Sequence, residues 1–417
     1  MKTAIGYSAK RVGMMLLGAL LTLSSCIRND VAEDLPSRTV LVYIAADNNL
    51  VTNANPNIYS MSSAMGSGMG HLNLLAFVDR HGAVPVMLRI HDHKIDTLNT
   101  YPELNSADAS TLAEAIDFVR SNYKSDSYGL IMWSHGTGWL PTKQLHNVAA
   151  RSMGYVQGRD GGHNPAPNDD MFGLFDRTKS FAWEARSNQR PNYTCMELDE
   201  MAEAIPDGMF DFIAFDACYM GNIEIAYALR RKTDYFISSC YEIMSYGYPY
   251  HDVTKDFMNG DLKQLCQKFY NYYNSMSISE QMAGISLVKT SELDSVASCF
   301  RKIVADFHDS ISHMDVSQVQ CFDRFDRHVF YDLRDFVEKL GPRKEYVNEF
   351  NAILDKCIPY KISTPYIFPG GKKYWPVDAI DVNEYCGLSV YVPLSEYDSI
   401  GLNDDYRRTA WSIATEY

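Results

Sequence analysis

His135 and Cys218 each stand just beyond an apolar run: residues 128–134 lead into His135-Gly136, and residues 211–216 lead into Ala217-Cys218. A thiolate attacks a carbonyl carbon readily, and an imidazole beside it accepts the thiol proton and later protonates the leaving amine. Gly136 has no side chain, so its backbone N–H can approach an oxyanion, a contact worth about 3–4 kcal/mol in acyl transfer. Asp216 precedes Cys218 by two positions, which in a strand puts both on one side about 6–7 Å apart. That reach suits the cationic end of a substrate Arg or Lys. The other reading of Asp216 is a strand-end acid bonded to backbone. A lone His or Cys is most often core, but one of each at two strand ends reads as base and nucleophile.

The strands must bring these residues to one place. Residues 39–45, 72–78, 84–90, 128–133, 210–215 and 235–238 are apolar, β-branched or aromatic and bounded by turn residues, the pattern of strands. Helical spacing runs through 111–123, 196–205 and 220–230. The alternation predicts βαβ units around a mainly parallel sheet, with His135 and Cys218 on its carboxyl edge. Residues 84–90 follow the preceding strand closely enough to form a hairpin, so the sheet is expected to be mixed. A helix starting at 220 is expected to lower the Cys218 pKa through its N-terminus. Beyond residue 260 the pattern turns more helical, at 262–273, 292–308 and 333–354, with closing strands near 374 and at 387–392. Residues 147–192 form a long loop between the two reactive residues.

The chain has 417 residues, 46% hydrophobic and 22% charged, which is enough apolar material for a large core. Lys2, Lys10 and Arg11 precede an apolar run at 12–23 that is too short to span a bilayer, which needs about 20 residues. It reads as a secretory signal. Its ending, Leu23-Ser24-Ser25-Cys26, resembles the lipobox of bacterial lipoproteins, in which the cysteine thiol is acylated; an ordinary signal is the alternative. The expected division is a signal peptide at 1–25, a tether at 26–38, a catalytic domain at 39–258 and a C-terminal helical and strand region at 259–417. An exported, lipid-anchored place on the bacterial envelope, at the outer membrane or cell surface, follows from it. Net charge is −14, which argues against nucleic acid as a partner. The eight cysteines after Cys26 show no C-x-x-C pair and read mostly as buried free thiols. His91-Asp92-His93 lacks further ligands at metal-binding spacing and reads as a polar turn.

Ser134-His135-Gly136-Thr137-Gly138-Trp139 and Phe215-Asp216-Ala217-Cys218-Tyr219-Met220-Gly221 resemble the histidine and cysteine motifs of the clostripain family of cysteine peptidases, relatives of caspases, gingipains and legumains. Further matching text lies at 39–47, 238–250 and 387–393. The resemblance implies a caspase-like αβα sandwich, a His135/Cys218 dyad and preference for Arg or Lys through Asp216. It implies peptide or protein substrates, a monomer, chemistry that requires no cofactor, calcium dependence as in some members, and self-cleavage between the two motifs, with Lys143 and Arg151 the nearest basic residues. A catalytically idle peptide-binding lipoprotein and a cysteine amidase acting on cell-wall peptides are the alternatives.

Overall fold

β-branched and aromatic runs that alternate with amphipathic segments build a layered structure here. The computed structural model describes residues 37–67, 69–148, 181–184, 194–373 and 378–417. Arg38–Ala46 (β1), Leu72–Arg80 (β2), Ala83–His91 (β3), Lys94–Thr100 (β4), Ser127–Trp133 (β5), Phe210–Asp216 (β6), Thr233–Ser238 (β7), Gly284–Lys289 (β8) and Tyr360–Ser363 (β9) form one sheet in the order β9-β8-β7-β6-β5-β1-β2-β3-β4. The five central strands, β7 to β2, are parallel. An antiparallel pair flanks them on each side. The central strands are almost wholly buried, as strands covered on both faces must be.

Helices cover the two faces. Val51–Ala64 (α1), Tyr250–Asn259 (α5) and Leu262–Asn274 (α6) pack together in one layer. Ala109–Asn122 (α2), Leu198–Ala204 (α3), Ile223–Ala228 (α4), Leu293–Val304 (α7) and Lys344–Cys357 (α8) make the other. The result is the expected αβα sandwich. Residues beyond 258 supply β8 and β9 to the same sheet, and Ser37–Tyr417 forms one compact unit. They also reach the segment after Cys218, where the Ser389 N–H donates to the Gly221 carbonyl at 2.9 Å.

The six expected strands are present, and 84–90 does pair antiparallel with its predecessor. Asp92 and His93 take φ of 46° and 60°, a two-residue hairpin turn leading into β4, so the His-Asp-His stretch is a turn. The helix expected over 333–354 is two helices, Leu333–Lys339 and α8, because Gly341 adopts φ 72° and Pro342 follows it. The helix expected at 220 begins three residues later. Within the long loop, Phe181–Glu184 pairs antiparallel with Thr194–Met196. The closing strand near 374 and Cys26 lie outside the described residues. Among the described residues no helix is long and apolar enough to cross a membrane.

Candidate active site

Four neighbouring parallel strands end at one edge. Ile44 of β1 sits opposite Trp133 of β5, and Trp133 sits opposite Asp216 of β6. Asn49, His135, Cys218 and Glu242 therefore follow the carboxyl ends of β1, β5, β6 and β7. Ser134 ties three of these ends together: its hydroxyl donates to the Ala45 carbonyl at 2.8 Å and its N–H to the Asp216 carbonyl at 3.3 Å. His135, Cys218, Asp216 and Glu242 line one cavity.

His135 is nearly enclosed, and burial lowers its pKa to about 4. Its Nε2 lies 2.7 Å from the Asn49 side-chain oxygen. That oxygen only accepts, so Nε2 carries the proton and Nδ1 is the basic nitrogen of the neutral ring. Asn48 shapes the turn beneath, donating to the Ala45 carbonyl and accepting the Leu50 N–H. Cys218 is partly buried, and its thiol points at the Ile243 carbonyl, 3.7 Å away. Burial first, and the Glu242 carboxylate second, push its pKa up to about 12. The helix-terminus lowering expected from the sequence does not operate: α4 starts at Ile223, and its first turn is capped by the Asn222 side chain. His135 and Cys218 are thus a neutral pair.

Asp216 is 3% exposed. Its Oδ2 accepts the Tyr248 N–H at 3.1 Å and the Tyr250 hydroxyl at 2.8 Å, while Oδ1 has no hydrogen-bond partner among the described residues. Burial raises its pKa to about 6 against the pull of those two donors. Gly247, at φ 68°, rests on this carboxylate; a Cβ there would lie 2.5 Å from Oδ2. Gly136 is equally constrained, since a Cβ would lie 2.6 Å from the Cys218 carbonyl oxygen. The open volume of the cavity is about 40 Å³, room for water but far below the roughly 300 Å³ or more of a ligand pocket.

Lys143, expected as a cleavage point, pairs with Asp405 at 2.7 Å in a helical turn, and the neighbouring Gln144 is buried. Arg151 lies outside the described residues. Cys321, Asp323 and His328 bring potential ligand atoms within 4.8 Å of one another. The Asp323 oxygens already accept three backbone N–H groups and the His328 ring, so the carboxylate organises its own loop. One sulfur and one nitrogen among three donors do not suit calcium. Cys195 aside, the seven other described cysteines are free thiols, five of them buried.

Asn49, Glu242 and Gly247 were not apparent from sequence. A signal existed for the first: Asp47-Asn48-Asn49 ends an apolar run as His135 does. Nothing marked Glu242, whose partner Arg324 lies far along the chain.

A histidine and a cysteine at the carboxyl ends of adjacent parallel strands, in a sheet sandwiched between helices, define the caspase-like class of cysteine-peptidase folds. A sequence profile of the clostripain family matches residues 42–164 and 175–364, and the chain belongs to that family. It is similar to an inactive zymogen C11 protease from Parabacteroides distasonis, with a TM-score of 0.73 and 31% identity over 91% of this chain and 99% of that one. A secreted C11 cysteine protease from Bacteroides thetaiotaomicron, solved with an irreversible peptide inhibitor, gives a TM-score of 0.71 and 26% identity over 91% and 99% of the two chains. Clostripain of Hathewaya histolytica is 27% identical over 218 residues, which is 46% of this chain and 36% of that protein. The match thus spans about a third of the curated relative's length.

Proposed function

We propose that the protein is a cysteine endopeptidase that cleaves after Arg or Lys, with Cys218 as nucleophile and His135 as its base. The observation that carries this is the meeting of the two residues in one cavity beside an acid, Asp216, whose Oδ1 is unpaired among the described residues. Sγ of Cys218 adds to the substrate carbonyl carbon while its proton passes to His135. The oxyanion gathers its negative charge near the Gly136 backbone. Collapse breaks the C–N bond, and His135 gives its proton to the departing amine. Water then adds to the thioester with His135 again taking the proton; the C–S bond breaks, the free acid leaves, and His135 returns the proton to the Cys218 sulfur. Asp216 supplies the counter-charge for the basic side chain, which bonds to Oδ1.

The narrow cavity favours a latent starting state, like that of the inactive Parabacteroides zymogen. Self-cleavage in the loop after His135 would open it. Lys143 is held by its ion pair and helical turn, so Arg151 is the favoured point. Export, acylation of Cys26, monomeric state and calcium dependence belong to the same proposal, supported by the N-terminal pattern and the family. The test is incubation of the mature protein, with and without calcium, with a diverse peptide pool, mapping cleavage by mass spectrometry beside Cys218→Ala. Cuts after Arg or Lys that vanish in the variant support the reading; no cleavage by either protein favours the peptide-binding alternative.

A further inference from the structure

Tyr219, the residue after Cys218, adopts φ 58°, a conformation that a non-glycine residue keeps only when its surroundings enforce it. The enforcement is visible. Its ring stacks on Phe330 at 5.1 Å and touches Phe325 at 5.3 Å, its N–H donates to the Tyr241 carbonyl at 3.2 Å, and its hydroxyl donates to Glu242 Oε1 at 2.7 Å. Glu242 is in turn forked by Arg324, Nε to Oε1 at 2.9 Å and Nη2 to Oε2 at 3.2 Å. The Arg324 side chain is 1% exposed and its guanidinium lies 4.7 Å from the Phe368 ring centroid. Arg324, Phe325 and Phe330 sit on one loop, closed by the N–H groups of Phe325, Val329 and Phe330 on Asp323.

A buried ion pair is a poor device for stability alone, because desolvation offsets the attraction. Here one member lines the nucleophile's cavity. Among the described residues, the titratable groups that act on Cys218 or share its cavity include Glu242, Asp216, Arg324, His135 and Tyr273, and of these Glu242 acts most strongly against a thiolate. We propose that Arg324 is a positioning residue for the nucleophile: through Glu242 and Tyr219 it fixes the strained backbone after Cys218 and offsets the carboxylate charge beside the sulfur. This rests on the reading of Cys218 as nucleophile.

The test is the rate of Cys218 alkylation by iodoacetamide from pH 5 to 10, followed by peptide mapping, in wild type, Arg324→Gln, Arg324→Lys and Glu242→Gln/Arg324→Gln. Arg324→Gln is expected to displace the profile upward by about one pH unit and to slow the reaction at neutral pH about ten-fold. Arg324→Lys keeps the charge and should titrate with wild type. The double variant removes both charges and should titrate at or below wild type, which also carries the test if Arg324→Gln fails to fold. A wild-type profile in Arg324→Gln, or an upward displacement in the double variant, overturns the proposal. Wild-type Cys218 that stays unlabelled while activity is lost to another cysteine's modification removes the nucleophile reading, and the clamp with it.

Discussion

His135 and Asp216 titrate in different ranges, and the difference separates their roles. Burial holds His135 near 4, so the base stays neutral through most of the acidic range. Asp216 is near 6 and loses its charge first as pH falls. For Arg or Lys substrates, kcat/KM should therefore drop below about pH 6 by about ten-fold per unit, while neutral substrates hold their rate to about two units lower. Asp216→Asn should cost basic substrates roughly ten- to a hundred-fold in kcat/KM and abolish that difference in profile. Equal loss for both substrate kinds would identify Asp216 as a support for the Tyr248 and Tyr250 segment instead. Cys218→Ala and His135→Ala should each lower activity about a thousand-fold or more while the protein still folds, because both sit at strand ends beyond the packed sheet.

The segment after β7 acts as the wall of the cavity, and its geometry is set at Gly247. This residue combines a left-handed φ with contact on the Asp216 carboxylate, so Gly247→Ala meets both backbone strain and a clash. A loss of about 1–3 kcal/mol in stability is expected, with a weaker preference for basic substrates, read from melting and from the ratio of kcat/KM for Arg and neutral peptides. A variant that melts lower yet keeps its preference would show that the carboxylate does not need this wall. The central strands were legible because each is a continuous apolar run, and the two reactive residues because each ends such a run. α1 was not: Asn53, Asn55, Asn57, Ser60, Ser62 and Ser63 are weak helix formers, Pro56 interrupts them, and the helix holds its place through contacts with β1 and α5. β8 and β9 join the sheet from far along the chain, a pairing that local pattern does not encode. The same holds for the Glu242–Arg324 pair, whose members meet only after the C-terminal region has packed.

In the molecule as a whole, burial sets one acid away from the active site, Glu224, against its own charge. Glu224, on α4, is fully buried; its Oε1 accepts the Tyr391 N–H at 3.0 Å, and Oε2 has no partner among the described residues. Burial raises its pKa from 4.5 to about 8, so at neutral pH the folded protein holds a proton that the unfolded chain releases. A folded-state pKa above the unfolded one means that stability is full below about pH 4.5, declines as pH rises, and levels off above about 8. At pH 7 the loss from this residue is on the order of 3 kcal/mol, a large fraction of the stability of an ordinary domain. Glu224→Gln keeps an oxygen for the Tyr391 N–H and removes the titration. Its melting temperature should exceed that of wild type at pH 7 to 8 and match it near pH 4, with the gap opening between those limits. Thermal melts across that range decide the matter: a constant offset between the two proteins would mean that Glu224 does not change protonation on unfolding, and that the interior stabilises its charge by a contact other than the Tyr391 N–H.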